Sequence, residues 1–242
     1  MSAAAVHYST VDRVARIQLD DGKANALGHA AIEALRAALA RAEREAGAVL
    51  LLGREGRFSG GFDLAVMGAG IDAIRALVRA GGELFLHCLE LRVPVVAGCA
   101  GHAVAGGALL VLAADYRVGA RGNFKLGLSE VALGMSLPLY AIELARLRLS
   151  KRHFARATQQ AELYAPDAAQ DAGYLDRVVE PAELERAALA EAARLAALPQ
   201  PAFAETKASM HRELLQQLHA TLDADMARIQ RGPSSARKGE SR

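Results

Sequence analysis

The sequence predicts an α/β core followed by a helical C-terminal extension. Apolar runs of strand length alternate with segments of helical period in the first half, whereas helical patterns dominate the second. Two glycine-rich turns each follow a continuous apolar run, the arrangement expected where a buried strand feeds a loop or a helix start. At 242 residues, 52% of them hydrophobic, the chain supplies one large domain or one domain with a small appendage.

In order along the chain, Val14–Leu19 places Ala15, Ile17 and Leu19 on one side, as a half-buried strand does. Asp20-Asp21-Gly22 turns the chain. From His29 to Glu45, Ile32, Leu35 and Leu39 recur at helical spacing with Glu33, Arg36, Arg41 and Glu43 on the opposite face. Gly47 ends that helix, and Ala48–Leu52 is an unbroken apolar run, suited to a strand covered on both faces. The first glycine-rich turn, Phe58-Ser59-Gly60-Gly61-Phe62-Asp63, comes next, then a helix from about Ile71 to Leu89 and a buried strand over Val93–Ala97. The second small-residue stretch, Gly101 to Gly107, leads into an all-apolar helix, Ala108 to Ala113, expected at the centre of the core. Asp115–Val118 reads as a short strand, after which helices are expected to the end, and the polar tail from Arg231 reads as disordered. No internal repeat is present.

Composition removes several function classes. Lys+Arg 29 against Asp+Glu 27 gives a net charge of +2, which offers no electrostatic case for nucleic acid or an acidic membrane. No apolar run approaches the ~20 residues of a membrane span, and the first residues lack the pattern of a secretory signal. Cys88 and Cys99 have no partners at metal or redox spacing and read as buried thiols of a reduced, cytoplasmic protein. The histidines form no HExxH and no Cys/His cluster, so no metal site is expected, and His102 reads as a packed histidine. Neither G-x-S-x-G nor a Walker-type loop occurs.

Three features remain that can carry chemistry. Glycines let a backbone approach a ligand closely, and a helix start adds unpaired N–H groups. Two such N–H groups converging on one point make an oxyanion hole. On spacing alone, however, both turns also read as ordinary tight turns. Glu130, in Gly127-Leu128-Ser129-Glu130-Val131-Ala132-Leu133-Gly134, is a lone carboxylate in an apolar stretch. Burial there would raise its pKa and fit it for proton transfer near neutrality. A helix-cap or surface glutamate fits the same letters equally well.

Taken together, these stretches resemble the crotonase (enoyl-CoA hydratase/isomerase) superfamily. Phe58-Ser59-Gly60-Gly61-Phe62-Asp63-Leu64 is similar to its F-[SA]-[AG]-G-x-D-[IL] turn, and Val93–Ala97 with Gly101–Gly107 is similar to its second, longer signature. Asp115-Tyr116-Arg117 and Ala172–Val179 resemble two further elements, and the likeness runs from about Val11 to Lys207. It implies a crotonase-like spiral of ββα units over residues 1–190, a helical trimerisation region over 191–230 and a tail over 231–242. It also implies an acyl-CoA thioester substrate, with coenzyme A as part of the substrate and no separate cofactor, and a homotrimer or dimer of trimers. The thioester oxygen would lie between the N–H groups of Phe62 and Gly106. Lys23, Ala24 and Ala26 match the loop along the CoA moiety, with Gly60, Gly61, Phe62, Asp63, Leu64 and Gly106 forming its other side. Lys207 matches a lysine that approaches CoA phosphates.

The resemblance bears on the reaction as well. Hydratases of this family carry one glutamate two residues after the glycine pair and a second further on. Here those positions hold Leu109 and Glu130. A single glutamate beside an apolar residue resembles Δ3,Δ2-enoyl-CoA isomerases, although Ser129 stands where those carry asparagine. The implied chemistry is proton removal from C2 by Glu130, a dienolate held in the hole, and return of the proton at C4. A hydratase with its second group elsewhere, and a non-catalytic acyl-CoA binder, are the alternatives.

Overall fold

A computed structural model describes residues 6–229. Six strands form the main sheet: β1 (Val6–Val11), β2 (Val14–Leu19), β3 (Ala48–Leu52), β5 (Val95–Cys99), β7 (Tyr116–Ala120) and β9 (Arg177–Val179), in that spatial order. Only β1 and β2 are antiparallel; the other neighbours are parallel and need long crossovers. A second, three-stranded parallel sheet takes β4 (Gly56–Ser59), β6 (Gly101–Val104) and β8 (Leu126–Gly127). From β3 to β8, each turn of the chain thus gives its first strand to the large sheet and its second to the small one. The following helix or loop leads to the next turn: α2 (Leu64–Gly68) and α3 (Ile71–Glu90) after β4, α4 (Gly106–Leu112) after β6. This is the ββα spiral expected.

Strand β3 shows why the large sheet is buried on both faces. Val49 and Leu51 point into the main core, with α1 (His29–Glu45) and α3, while Ala48, Leu50 and Leu52 point into a second layer. That layer is closed by α8 (Leu184–Ala196), whose Ala188 and Ala192 lie against the sheet. The two-residue period of a strand sends alternate apolar residues to opposite cores, so a run with no polar position is required. The remaining helices are α5 (Leu139–Arg148), α6 (Lys151–Thr158), α7 (Pro166–Ala172) and the long α9 (Gln200–Arg228), which packs along α3 and α5. Among the described residues no helix is long and apolar enough to cross a membrane, and no cluster of ligand-type side chains is placed to hold a metal.

Several boundaries differ from expectation. The strand expected over Val93–Ala97 runs Val95–Cys99, because Asp115 reaches back to accept the Val95 N–H at 2.8 Å and fixes the strand start there. The strand expected over Asp115–Val118 accordingly begins at Tyr116 and runs to Ala120. Helix α4 begins two residues earlier than expected, at Gly106. Strands β1, β4, β6, β8 and β9 were not expected from the residue pattern, β4 and β6 falling where glycine-rich turns were read. The tail expected to be disordered, 231–242, lies outside the described residues.

Candidate active site

The two glycine-rich turns meet. Asn25, in the left-handed region at φ 52°, is buried and donates through its side-chain amide to the carbonyls of Leu19, Arg57 and Phe58. Ser59 Oγ donates to the Asn25 carbonyl at 2.7 Å and accepts from the Gly61 N–H. The Gly60 N–H bonds to Ala24, and Leu27 bonds to Gly61, so the loop from Lys23 to Leu27 lies zipped along Gly60–Asp63. Asp63 accepts from the Ala65 N–H and caps α2, leaving Leu64 81% exposed beside the loop.

Gly61 adopts φ 88°, and a Cβ there would lie 2.9 Å from the Val104 carbonyl oxygen and 3.3 Å from the Gly106 nitrogen. Only glycine lets these two backbones pass so closely. Ala105, just before α4, sits at φ 50°, ψ −125°, a conformation unfavourable for any residue with a Cβ. Its N–H is held by the Gly127 carbonyl and its own carbonyl by the Leu109 N–H, which together enforce that geometry. Leu27 bridges to the Phe62 position through the Gly61 carbonyl and the Asp63 N–H, so the intervening Phe62 N–H faces the other way. Among the described residues neither the Phe62 nor the Gly106 N–H has an acceptor. The Phe62 ring fills the space beside Gly81, where a Cβ would come within 2.3 Å of it, and packs on Gly106.

Glu130 follows β8 and begins a single 3₁₀ turn, Val131–Leu133, without capping it through its side chain. It is only 7% exposed, and its Oε2 has no hydrogen-bond partner. Burial pushes its pKa up to about 7, outweighing the lowering by N–H groups of Glu130 and Ser129. The carboxyl opens onto a small apolar pocket of about 30 Å³ shared with Phe62 and Leu109. Tyr140 also lines it, but its hydroxyl is already donated to the Val78 carbonyl at 2.9 Å. A paired-donor corner, one carboxyl of near-neutral pKa and an apolar pocket can stabilise an enolate and move a proton beside it.

The structure therefore brings Phe62, Gly106 and Glu130 together, with Lys23, Ala24, Ala26, Gly60, Gly61, Asp63 and Leu64 on two adjoining loops. Lys207 does not join them. Its side chain is 5% exposed and its Nζ donates to Asp115 Oδ2 at 2.6 Å and to the Cys88 carbonyl at 3.0 Å. A lysine so enclosed is unavailable to a phosphate, which corrects that assignment. His102 accepts from the Lys125 N–H and packs edge-on against Phe124, as a structural histidine does. Both thiols are buried, which pushes each pKa up to about 12. Asp176 of the late element holds Arg117 with two bonds of 2.8 and 2.6 Å, so that element joins β7 to β9 rather than serving the site. Missed from the sequence were the distal pocket residues, Met135, Pro138 and Ile229 among them. Ile229 lies 99 positions from Glu130, and Met135 and Pro138, though close to it in sequence, are residue types that carry no mark of a pocket wall.

The family model for enoyl-CoA hydratase/isomerase matches residues 9–242. The chain belongs to that family. It is 31% identical to human mitochondrial enoyl-CoA delta isomerase 1 over 182 residues, 74% of this chain and 60% of that protein. It therefore spans about three fifths of the length of that relative. It is 28% identical over 217 residues to a probable enoyl-CoA hydratase of Rhizobium meliloti (strain 1021), covering 88% of this chain and 84% of that one. The crystal structure of an enoyl-CoA hydratase/isomerase family protein from Pseudomonas syringae superposes with TM-score 0.91 at 42% identity, covering 93% and 98% of the two chains.

Proposed function

We propose that this chain is an enoyl-CoA isomerase, moving the double bond of a 3-enoyl-CoA into conjugation with the thioester. The observation that carries this reading is the pairing of Glu130 with Leu109 in one apolar pocket, with no second carboxylate lining it among the described residues. With the thioester oxygen between the N–H groups of Phe62 and Gly106, the C2 proton becomes acidic enough for a carboxylate base to remove. The Glu130 carboxylate takes it, and the charge spreads onto the thioester oxygen, where two donors meet it. Glu130, now neutral, returns the proton to C4, and its pKa of about 7 makes both directions accessible near neutrality. Leu109 keeps water from the dienolate, which protects it from side reactions. The CoA portion lies along Lys23–Ala26 and Gly60–Leu64 in this reading, and the chain assembles as a homotrimer or dimer of trimers. Val131 and Leu133, 42% and 61% exposed on the turn after Glu130, are apolar surface suited to such contacts. The buried, unpaired thiols suit a reducing, cytoplasmic setting.

A specific observation supports the rival reading. Ser136 also lines the pocket and is the one other polar side chain there with no hydrogen bond of its own among the described residues, so it is the group that would hold a water for hydration. The test is to present 3-enoyl-CoA and 2-enoyl-CoA in parallel and measure conjugation and water addition separately. Isomerisation should dominate. Faster hydration, abolished in Ser136→Ala, would establish the hydratase instead.

A further inference from the structure

Strand β8 is only two residues long, and Glu130 stands three residues beyond its end. On one side β8 pairs with β6, the strand that leads to Gly106. On the other it is closed by residues 161–164, which belong to no strand. Tyr164 exchanges two backbone bonds with Leu126, at 2.9 and 2.8 Å, an antiparallel pair that adds this segment to the edge of the small sheet. The approach is close. Gly127 adopts φ 151°, and a Cβ there would lie 2.9 Å from the Glu162 carbonyl oxygen.

The Glu130 carboxyl follows this backbone because little else holds it. It is met by the N–H groups of Ser129 and of Glu130 itself, and its Oε2 has no partner among the described residues. Its place is therefore the place of its own turn. Tyr140, on α5, and Tyr174, after α7, are the titratable groups that feel its charge. Tyr174 packs on Tyr164 with ring centroids 5.6 Å apart, so the edge segment reaches the surroundings of Glu130 through side chains as well as through the sheet.

Arg156, on α6, holds the segment. Its guanidinium bonds to both Glu162 carboxylate oxygens at 2.6 Å, and its carbonyl accepts the Glu162 N–H at 3.0 Å. Between the two residues Ala161 is kept at φ 51°, in the left-handed region that is unfavourable for a residue with a Cβ. A half-exposed ion pair contributes little to stability as a rule, but a two-bond fork fixes direction as well as distance.

We propose that residues 162–164, locked by the Arg156–Glu162 fork, are a positioning element for Glu130, holding β8 against β6 and so setting where the carboxyl stands relative to the Gly106 N–H. Arg156 and Glu162 are positioning residues in this scheme, acting through Tyr164 and Leu126. The inference rests on the reading of Glu130 as the proton-transfer group, but not on which reaction it serves.

The experiment follows Glu130 directly, by carbon NMR of the full chain labelled at the glutamate side-chain carboxyls, with its signal assigned by loss in Glu130→Gln. In wild type that signal should titrate at about 7. In Arg156→Gln the turn should loosen and water should reach Oε2, so the midpoint should fall by about one pH unit or more toward the ordinary 4.5. Turnover of whichever enoyl-CoA reacts should fall about tenfold with KM unchanged, because a misplaced group costs rate rather than binding. Glu162→Gln should do the same, and the double variant should be no worse than either, since both act through one pair. Arg156→Lys, which keeps the charge and loses the fork, should lie between. Arg152→Gln, which removes an exposed arginine from the same helix, should change neither reading. An unmoved Glu130 midpoint in both single variants would overturn the proposal, whatever the turnover, as would additive losses in the double variant. The midpoint is read whether or not either ester reacts. A midpoint that shifts as expected, in a protein that hydrates faster than it isomerises, would overturn the isomerase reading alone.

Discussion

Replacing Glu130 by Gln alters one atom and tests stability and chemistry together. In the folded chain the Glu130 pKa rises from 4.5 to about 7 because the carboxyl is buried with one oxygen unpartnered. A raised carboxyl pKa means that the folded state holds its proton over a range where the unfolded chain has lost it. Below pH 4.5 both states are protonated and nothing is lost. Between 4.5 and about 7 the folded state becomes progressively less favoured as pH rises, and above that both states are ionised. At 1.36 kcal/mol per pH unit the interval corresponds to about 3 kcal/mol of stability that the wild type forfeits by pH 8. Glutamine is neutral throughout and resembles the protonated acid in shape. Glu130→Gln should therefore be more stable than wild type by about 3 kcal/mol at pH 8, and close to it at pH 4.5. Isomerisation should fall by roughly 10²–10⁴-fold, the usual worth of a positioned general base. Urea unfolding of both proteins at the two pH values, with turnover of a 3-enoyl-CoA at pH 8, reads both effects. A stability difference independent of pH would mean that the carboxyl titrates at its ordinary value. In that case the near-neutral base at the centre of the mechanism does not exist.

Two further outcomes follow from the same geometry. Gly106→Pro removes one hole donor while leaving the first helical position occupied by a residue suited to it; turnover should fall by roughly 10²–10³-fold with saturated acyl-CoA still bound, and near-normal rates in a folded variant would exclude Gly106 from the hole. Lys207→Met leaves the half-buried Asp115 carboxylate without its ion-pair partner and with only the Val95 N–H to hold it, so it should lower stability by about 3 kcal/mol in chemical denaturation while the folded protein binds acyl-CoA normally; a selective loss of CoA affinity would restore the lysine to the ligand site.

How far the sequence reveals this molecule depends on the range over which each signal acts. Helix α1 was legible end to end because its stripe of Ile32, Leu35 and Leu39 repeats locally, and β3 because a strand between two cores has no polar position to spare. Strand β1 was not, because it is an edge strand whose residues are mostly exposed, so no alternation marks it. Strands β8 and β9, of two and three residues, are too short to show any period. At the site, the glycine turns and Glu130 were legible because close backbone approach and an isolated carboxylate leave marks in a few adjacent letters. The choice between a tight turn and an oxyanion hole, however, depends on Gly61 meeting Gly106, which no local pattern encodes. Lys207 was misplaced for the same reason, since Asp115, its partner, lies 92 residues away in the chain. The pocket wall is more distant still, joining Val78, Pro138 and Ile229 from α3, the approach to α5 and the end of α9.

The small sheet has a consequence of its own. Its strands β4, β6 and β8 are parallel neighbours, and the residues that follow their C-terminal ends are, in turn, Phe62, Gly106 and Glu130. Ligands gather at that end of parallel strands as a rule, but here successive windings of the spiral each deliver one component to the same place. Two of the three deliveries are main-chain groups, indifferent to most changes of side chain, and only the third is written in a side chain. The architecture therefore separates what is fixed from what is adjustable. In the proposed reading, enolate stabilisation would belong to the winding itself, whereas the fate of the enolate would be decided by a handful of replaceable residues around Glu130, Leu109 foremost. A chain built this way can change its reaction without rebuilding its scaffold, and for that reason the scaffold identifies the lineage more firmly than it identifies the product.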